Sequence, residues 1–428
     1  MRPISERLTT TPHETVAITL SVPSSMPSTL FRRQQFPFVA ETLIRFPTGS
    51  AFADTVVTQA HTAHVASCGH RVSPSRTSGF AVSDIDAVRL SGSSAHHMPR
   101  MSASITVLST GGTIASTQAE DGATPSRSGG DLIAAVPELG SYADIAVTEV
   151  VQTPSFDMDI ESLAVIVEQT RTAVDDGADG VVITHGTDTM AESAYYLDLV
   201  LDLDAPVVLT GAQRRSDEVS PDGPSNLLTA ARAASHDRFR DRGGVYIAFD
   251  EELHAARDVT KAHTSDLSAF VSPDKSPVAH FTRESVRVHR EPGSRSDTIE
   301  ATTTSADVVV VKTGIGVGTQ QVDAALGGSV DGLIVEGTGL GNTTSPLGGA
   351  IRDALEADVP VVITSRCQGG AVAPVYGTPG GGKTLRSHGI IDGGDLPAHK
   401  ARLKLMLLIE EYEAADLTTL REAFEANS

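Results

Sequence analysis

Two short turns in this sequence each place a threonine just after an apolar run. The first is Ile105-Thr-Val-Leu-Ser-Thr-Gly-Gly-Thr-Ile-Ala115, and the second is Gly180-Val-Val-Ile-Thr-His-Gly-Thr-Asp-Thr-Met190. A β-branched run that breaks at a glycine-bearing turn predicts a buried parallel strand. In open α/β sheets, ligands bind at the carboxyl ends of the strands. The sequence therefore predicts that two strands deliver hydroxyl groups to one edge of a sheet.

In the first turn, Thr113 directly follows the two glycines Gly111 and Gly112. A threonine hydroxyl is a weak nucleophile and needs a base or a polarising neighbour. The two glycines let the backbone approach a substrate and present amide N–H groups to an oxyanion. A nucleophilic threonine is one interpretation of this turn, and a tight turn capped by threonine is the alternative.

The second turn adds a carboxylate, because Gly186 is followed by Thr187 and Asp188. An unpaired charge at the end of a buried strand is costly, so Asp188 is expected to bind a cation. The candidates are a substrate ammonium group and Lys261, the first of six lysines in the chain. A partly desolvated lysine beside a carboxylate and a threonine is suited to shuttle protons. A surface lysine without function is the alternative.

Strand and helix patterns alternate from residue 101 onward, which predicts an α/β protein of two domains. The larger N-terminal domain, residues 101–283, is expected to be a doubly wound parallel sheet carrying both turns. A polar segment at 284–306 is predicted to be a linker, and residues 307–428 are predicted to form a smaller C-terminal α/β domain.

Residues 1–100 differ from the remainder in being rich in Ser, Thr, Pro, Arg and His. We interpret them as a disordered leader, or as upstream sequence joined to a true start at Met101. The alternative is a twin-arginine export signal, with Arg32-Arg33 and a small-residue cleavage site at residues 51–54. Charged residues interrupt any apolar segment between these two features. A cytoplasmic protein is therefore the expectation.

The charge is unevenly distributed along the chain. Residues 1–100 hold nine of the 33 basic and six of the 54 acidic residues, which leaves 24 basic and 48 acidic residues beyond them. Few lysines and abundant carboxylates favour a halophilic protein, whose self-repulsion is screened by salt. The alternative is an acidic protein that works at ordinary salt concentration. The charge argues against nucleic acid as the main partner of residues 101–428.

Other function classes are excluded on composition. The sequence has no apolar run of about 18 residues, so no membrane span is predicted. Its two cysteines, Cys68 and Cys367, form neither a metal cage nor a disulfide framework. No cluster has zinc-ligand spacing, so no metal and no cofactor are predicted.

The motifs resemble those of the L-asparaginase family, the type I and II amidohydrolases of bacteria and archaea. The resemblance covers about residues 103–415, and with the charge it suggests a haloarchaeal member. The matching stretches are Ser109-Thr-Gly-Gly-Thr-Ile-Ala115, Ile183-Thr-His-Gly-Thr-Asp-Thr-Met-Ala-Glu192, Leu209-Thr-Gly-Ala-Gln-Arg214, Asp222-Gly-Pro-Ser-Asn226 and Arg257-Asp-Val-Thr-Lys261.

The resemblance implies hydrolysis of L-asparagine, or of L-glutamine, through an acyl-enzyme. Thr113 matches the family's nucleophile, and Thr187, Asp188 and Lys261 match its proton-transfer group. Gly112 and Gly186 belong to the turns that would hold the oxyanion.

The resemblance also implies a set of substrate-binding residues. Asp188 would bind the α-ammonium group, Ser155 the α-carboxylate, and the Ala212 carbonyl the side-chain amide. Asn342 matches an asparagine that enters a neighbouring subunit's site, so a homodimer or homotetramer with shared active sites is implied.

The chain departs from the family pattern in the mobile lid. The lid usually carries a tyrosine that activates the nucleophile, whereas residues 116–130 contain none and offer Thr124 as a hydroxyl. Two alternative functions follow from the motifs. One is that of the D subunit of the archaeal glutamyl-tRNA(Gln) amidotransferase, which passes ammonia to a partner. The other is a non-catalytic binding module with the same fold.

Overall fold

The computed structural model describes residues 102–119, 122–294, 296–412 and 416–426. The predictions for residues 1–100, including the leader, the twin-arginine signal and Cys68, lie outside these residues. No helix in the described ranges is both long and apolar enough to cross a membrane.

The strands and helices alternate as the sequence patterns predict. The strands are β1 (Ala103–Ser109), β2 (Ser116–Ala119), β3 (Gly122–Pro125), β4 (Ala143–Glu149), β5 (Gly180–Thr184), β6 (Val207–Thr210), β7 (Val245–Phe249), β8 (Glu252–Ala255), β9 (Thr260–Lys261), β10 (Phe270–Val271), β11 (Ala279–Phe281), β12 (Val286–Val288), β13 (Val308–Lys312), β14 (Gly332–Gly337), β15 (Val361–Ser365) and β16 (Ile391–Asp392). The helices are α1 (Gly129–Ala134), α2 (Ile160–Asp175), α3 (Met190–Val200), α4 (Gly223–Ser235), α5 (Gln320–Gly327), α6 (Ser345–Glu356), α7 (Gly382–Ser387), α8 (Ala398–Glu411) and α9 (Leu417–Glu425).

The larger sheet has eight strands in the order β12-β11-β8-β7-β6-β5-β1-β4. Strands β1 and β4 to β7 are parallel, as predicted. Helices α2 and α3 cover one face and α1 and α4 the other, so the sheet is doubly wound. The two-domain α/β fold is therefore confirmed.

The sheet is mixed rather than wholly parallel, because β8, β11 and β12 extend it in antiparallel fashion. The reversal begins at Asp250 and Glu251, which join β7 to β8 and both have positive φ angles. Two such residues form the turn whose twist matches an antiparallel hairpin. Strand β12 (Val286–Val288) lies within residues 284–306, the segment expected to be a linker.

The C-terminal domain has a four-stranded parallel sheet in the order β13-β14-β15-β16. Helix α8 packs on this sheet and also against α3 of the N-terminal domain, so one apolar core continues across both domains. This contact places α8 next to the segment that leads from β8 into β9.

The segment 116–130, where the family resemblance places the lid, contains an antiparallel hairpin of β2 and β3. The backbone N–H of Gln118 donates to the Asp217 carboxylate at 2.8 Å, which ties the hairpin to the loop after β6. Directly after β3, the N–H groups of Ser126 and Arg127 donate to the Ala115 carbonyl at 2.9 and 3.0 Å, which ties the end of the hairpin to the segment that follows Thr113.

Candidate active site

The first turn begins where β1 ends. Thr113 opens a short 3-10 turn, Thr113–Ala115, and is half-buried. The Gly112 carbonyl accepts hydrogen bonds from the Ala115 N–H at 3.1 Å and from the Ser116 hydroxyl at 2.8 Å. Gly112 has a φ of +85°, a conformation that side chains disfavour. The turn therefore holds Thr113 in one place and needs glycine before it.

The two threonine turns are in direct contact through their glycines. A Cβ atom placed on Gly112 would lie 2.5 Å from the Gly186 nitrogen, and one placed on Gly186 would lie 2.5 Å from the Ser155 hydroxyl. The Thr110 hydroxyl also donates to the Thr184 carbonyl at 2.7 Å, which links the ends of β1 and β5. Three predicted site segments thus meet at Gly112 and Gly186, where the neighbouring segment leaves no room for a side chain.

Lys261 joins the second turn from strand β9. Its Nζ donates to Thr187 Oγ1 at 2.9 Å and to Asp188 Oδ1 at 2.7 Å. Thr187 is 5 % exposed, whereas the side chain of Asp188 is 59 % exposed. The lysine therefore bonds to a buried hydroxyl and to a carboxylate that is open to a ligand.

Ser155 lies next to this cluster in the short 3-10 turn Ser155–Asp157. Its hydroxyl accepts the Asp188 N–H at 3.3 Å, and its carbonyl accepts the Thr189 hydroxyl at 2.6 Å. Ser155 itself is buried, while the adjacent Phe156 is 70 % exposed. The serine is thus fixed beside Asp188 at the edge of the site.

Hydrogen bonds fix the backbone on both sides of Ala212, which is fully buried. The Asn226 amide donates to the Gly211 carbonyl at 3.0 Å and to the Asp222 carboxylate at 3.0 Å. The same carboxylate accepts the Gln213 N–H at 3.0 Å. The motif Asp222-Gly-Pro-Ser-Asn226 therefore supports the Ala212 turn rather than contacting the threonines.

Asn342 lies in the C-terminal domain, after β14. Its Oδ1 accepts the Gly382 N–H at 3.1 Å, and its carbonyl accepts the Thr338 N–H at 2.8 Å. These hydrogen bonds stay within the C-terminal domain. Hydrogen bonds therefore join Thr187, Asp188, Lys261 and Ser155. Thr113 and Ala212 lie beside this group because the preceding glycines, Gly112 and Gly211, pack against the second turn. Asn342 has a different set of neighbours.

His185, between Thr184 and Gly186, was not among the predicted site residues. Its ring is completely buried, and burial lowers its pKa, which favours the neutral form. Its Nδ1 lies 2.7 Å from the Gly186 carbonyl. The ring thus supports the backbone of the second turn. Within the described residues, no group of three or more His, Cys, Asp or Glu side chains is arranged to bind a metal ion.

A hydroxyl, an amine and a carboxylate meet at the carboxyl edge of an α/β sheet, which is where sheets of this class bind small-molecule ligands. Comparisons with known proteins then define the family. Residues 104–294 match "Asparaginase, N-terminal", and residues 307–424 match "Glutaminase/Asparaginase C-terminal domain". The chain belongs to the asparaginase family and is an amidohydrolase of that family.

Individual relatives carry two different names. The chain is 36 % identical to a probable L-asparaginase of Deinococcus radiodurans, over 73 % of this chain and 94 % of the relative. It is 32 % identical to the D subunit of the glutamyl-tRNA(Gln) amidotransferase of Methanosphaera stadtmanae, over 71 % of each chain. A solved structure of a probable cytoplasmic L-asparaginase from Campylobacter jejuni aligns with a TM-score of 0.68 at 30 % identity, covering 76 % of this chain and 99 % of that one.

Proposed function

We propose that this chain hydrolyses L-asparagine to L-aspartate and ammonia, with Thr113 as the nucleophile. The observation that carries the proposal is the bridge from Lys261 Nζ to Thr187 Oγ1 and Asp188 Oδ1, at 2.9 and 2.7 Å. Amide hydrolysis through an acyl-enzyme needs a nucleophile, a proton path and oxyanion stabilisation. The contact between Gly112 and Gly186 supports this assignment because it brings the turn of Thr113 against the turn of Thr187.

The proposed reaction has two steps. Thr113 Oγ1 forms a bond to the amide carbon, and its proton passes through Thr187 and Lys261 to the leaving nitrogen. The carbon–nitrogen bond breaks and ammonia departs, leaving an ester on Thr113. Water then hydrolyses the ester and returns the proton to Thr113. Backbone N–H groups of Gly112 and Gly186 are the donors we assign to the oxyanion.

The substrate would be held at both ends. Asp188 accepts its α-ammonium group, Ser155 binds its α-carboxylate, and the Ala212 carbonyl accepts the side-chain amide. Asn342 would serve the site of a neighbouring subunit in a homodimer or homotetramer. Sizing combined with activity at falling salt concentration tests this assembly, since an active monomer would exclude the role of Asn342.

The activity is tested by ammonia release from asparagine and from glutamine. The purified full chain is assayed in high salt beside Thr113→Ala and Thr187→Ala. Thr170→Ala is the matched control, because Thr170 is buried on α2 and bonds to Ile166 of the same helix. We expect release from asparagine that either site variant abolishes and that the control retains. Equal release by Thr113→Ala and the wild type would exclude the proposed nucleophile.

The second candidate function is that of the amidotransferase D subunit, favoured by relatives of that name at 32 to 34 % identity. The large acidic excess beyond residue 100 opposes a tRNA-linked role. Ammonia release only in the presence of a partner subunit and tRNA would favour this candidate. Absence of release under every condition would favour a non-catalytic binding module. The cytoplasmic description of the Campylobacter jejuni neighbour supports a cytoplasmic location here.

A further inference from the structure

The strand that carries Lys261 is not part of the eight-stranded sheet. Strand β9 has two residues, Thr260 and Lys261, and pairs with the equally short β10 (Phe270–Val271). Two pairs of residues constrain a backbone weakly, because a short ladder contributes few hydrogen bonds. The position of Lys261 therefore depends on what holds the segment before it.

That segment is held by Lys400 of helix α8, in the C-terminal domain. Lys400 is fully buried, and its Nζ donates to the carbonyl oxygens of Ala256 at 2.7 Å, Arg257 at 3.1 Å and Val259 at 2.5 Å. Burial lowers the pKa of Lys400 to about 7, and in the protonated form its Nζ has three N–H donors for these three acceptors. One side chain thus fixes three carbonyls within five residues of Lys261.

We propose that Lys400 is a positioning residue, which holds Lys261 against Thr187 and Asp188 from the C-terminal domain. The catalytic part of this inference rests on the proposed function, and the structural part does not.

Apolar packing buries Ala256 and Val259 of this segment completely, whereas its polar residues Arg257 and Asp258 border a cavity. A cavity of about 250 Å³ lies between the domains and is lined by residues 257–260 and by Lys400. Contacts across this gap are polar: Arg257 donates to Asp395 at 2.8 Å, and Lys275 bonds to both Asp258 and Asp395 at 2.8 and 2.6 Å. The polar contacts between the C-terminal domain and this segment are therefore made by Lys400 and Asp395.

A buried ammonium group carries a large desolvation penalty, and an apolar side chain of similar volume is often as stabilising. Stability by itself therefore gives little reason for a lysine at position 400. An apolar side chain at this position would bury as well but could not donate hydrogen bonds to the backbone segment before Lys261.

Helix α8 offers a matched control one turn further on. Lys404 is also buried, but its Nζ donates to the Phe424 carbonyl at 2.6 Å, inside the C-terminal domain. Lys400→Met and Lys404→Met each remove one buried ammonium group from the same helix. Only the first removes contacts to the segment before Lys261.

The experiment measures both variants in the full chain, at a temperature where each is folded. The first readout is the acetylation rate of Lys261 by an amine-reactive acetyl ester, followed by peptide mass spectrometry, and it needs no activity. We expect Lys400→Met to raise this rate several-fold, because Nζ is released from Thr187 and Asp188. The second readout is steady-state asparagine hydrolysis. We expect kcat to fall about 10- to 100-fold with KM nearly constant, as for a misplaced catalytic group.

Lys404→Met should change neither readout. The proposal is overturned if Lys400→Met leaves the acetylation rate of Lys261 unchanged, or if Lys404→Met has the same effect. If Lys400→Met does not fold, Lys400→Gln replaces it, because its shorter amide side chain has two N–H donors and cannot serve all three carbonyls. Lys400→Gln should also raise the acetylation of Lys261, and an unchanged rate would overturn the proposal. A wild type without amidase activity would reject the proposed function and leave the acetylation test valid.

Discussion

Gly112 and Gly186 touch backbone to backbone, so closely that a Cβ atom on Gly112 would lie 2.5 Å from the Gly186 nitrogen. Each glycine is followed directly by a threonine, Thr113 in one turn and Thr187 in the other. This contact therefore sets how near the proposed nucleophile lies to the proposed proton path.

Replacing Gly112 with alanine should inactivate the enzyme. The new Cβ meets backbone atoms of the second turn, which can move only by separating the two turns. Gly177→Ala is the control, because Gly177 has a similar positive φ of +99° but no atom within 4 Å of the added Cβ. We expect Gly177→Ala to lose about 1 kcal/mol of unfolding free energy and to keep its activity. Full activity of Gly112→Ala in the ammonia assay would contradict the contact.

The hydrogen bond from Gln118 N–H to Asp217 should restrain the hairpin β2–β3. This bond lowers the pKa of Asp217, so the carboxylate is ionised across the neutral range. In Asp217→Ala we expect faster amide hydrogen exchange over residues 116–119 and a several-fold loss of kcat/KM. Glu218→Ala is the control, since Glu218 bonds to Arg215 at 2.7 Å as Asp217 does at 3.0 Å. Equal exchange in both variants would show that the hairpin is restrained by other contacts.

The location of the site follows from simple sequence rules. The β-branched runs of β1 and β5 end at glycines, and parallel strands bring such ends to one edge, where Thr113 and Thr187 are found. The cost of an unpaired charge likewise predicts a cation beside Asp188, and Lys261 is one of the two candidates that the sequence offers.

Other features lacked a readable signal. The turn at Asp250 and Glu251 contains no glycine, so the sequence does not predict the hairpin that begins the antiparallel extension of the sheet. Lysine side chains are ordinarily exposed, so the burial of Lys400 in the core was not predicted. A signal was nevertheless present: Lys400 and Lys404 are spaced by four residues in helix α8, and Lys404 lies within the otherwise apolar run 403–409. Two lysines on one helix face that packs into a core indicate buried donors.

The free energy of unfolding should fall at acid pH because Asp395, which joins the two domains, becomes protonated. Burial raises the pKa of Asp395, but hydrogen bonds from Arg257 and Lys275 outweigh burial and lower it to about 2. The unfolded carboxyl titrates near 3.8, so the contribution is complete above that pH and disappears as the pH falls toward 2. We expect a loss of about 2 kcal/mol over this range from this residue.

Urea unfolding at pH 5 and at pH 2.5, in the same salt, measures this contribution. Asp395→Asn has no carboxyl group to titrate at this position, so its unfolding free energy should fall less than that of the wild type between the two pH values. An identical fall in both proteins would place the acid sensitivity elsewhere.

The most direct test of the proposed mechanism is to identify the hydroxyl that reacts. The full chain is treated with an asparagine analogue that carries an electrophile in place of the side-chain amide, and the labelled peptide is mapped by mass spectrometry. We expect the label on Thr113, formed at least about 100-fold more slowly in Lys261→Met, which lacks the proton carrier. Lys383→Met, which removes an exposed lysine, should label at the wild-type rate. A label on Thr187, or an unchanged rate in Lys261→Met, would contradict the proposed roles.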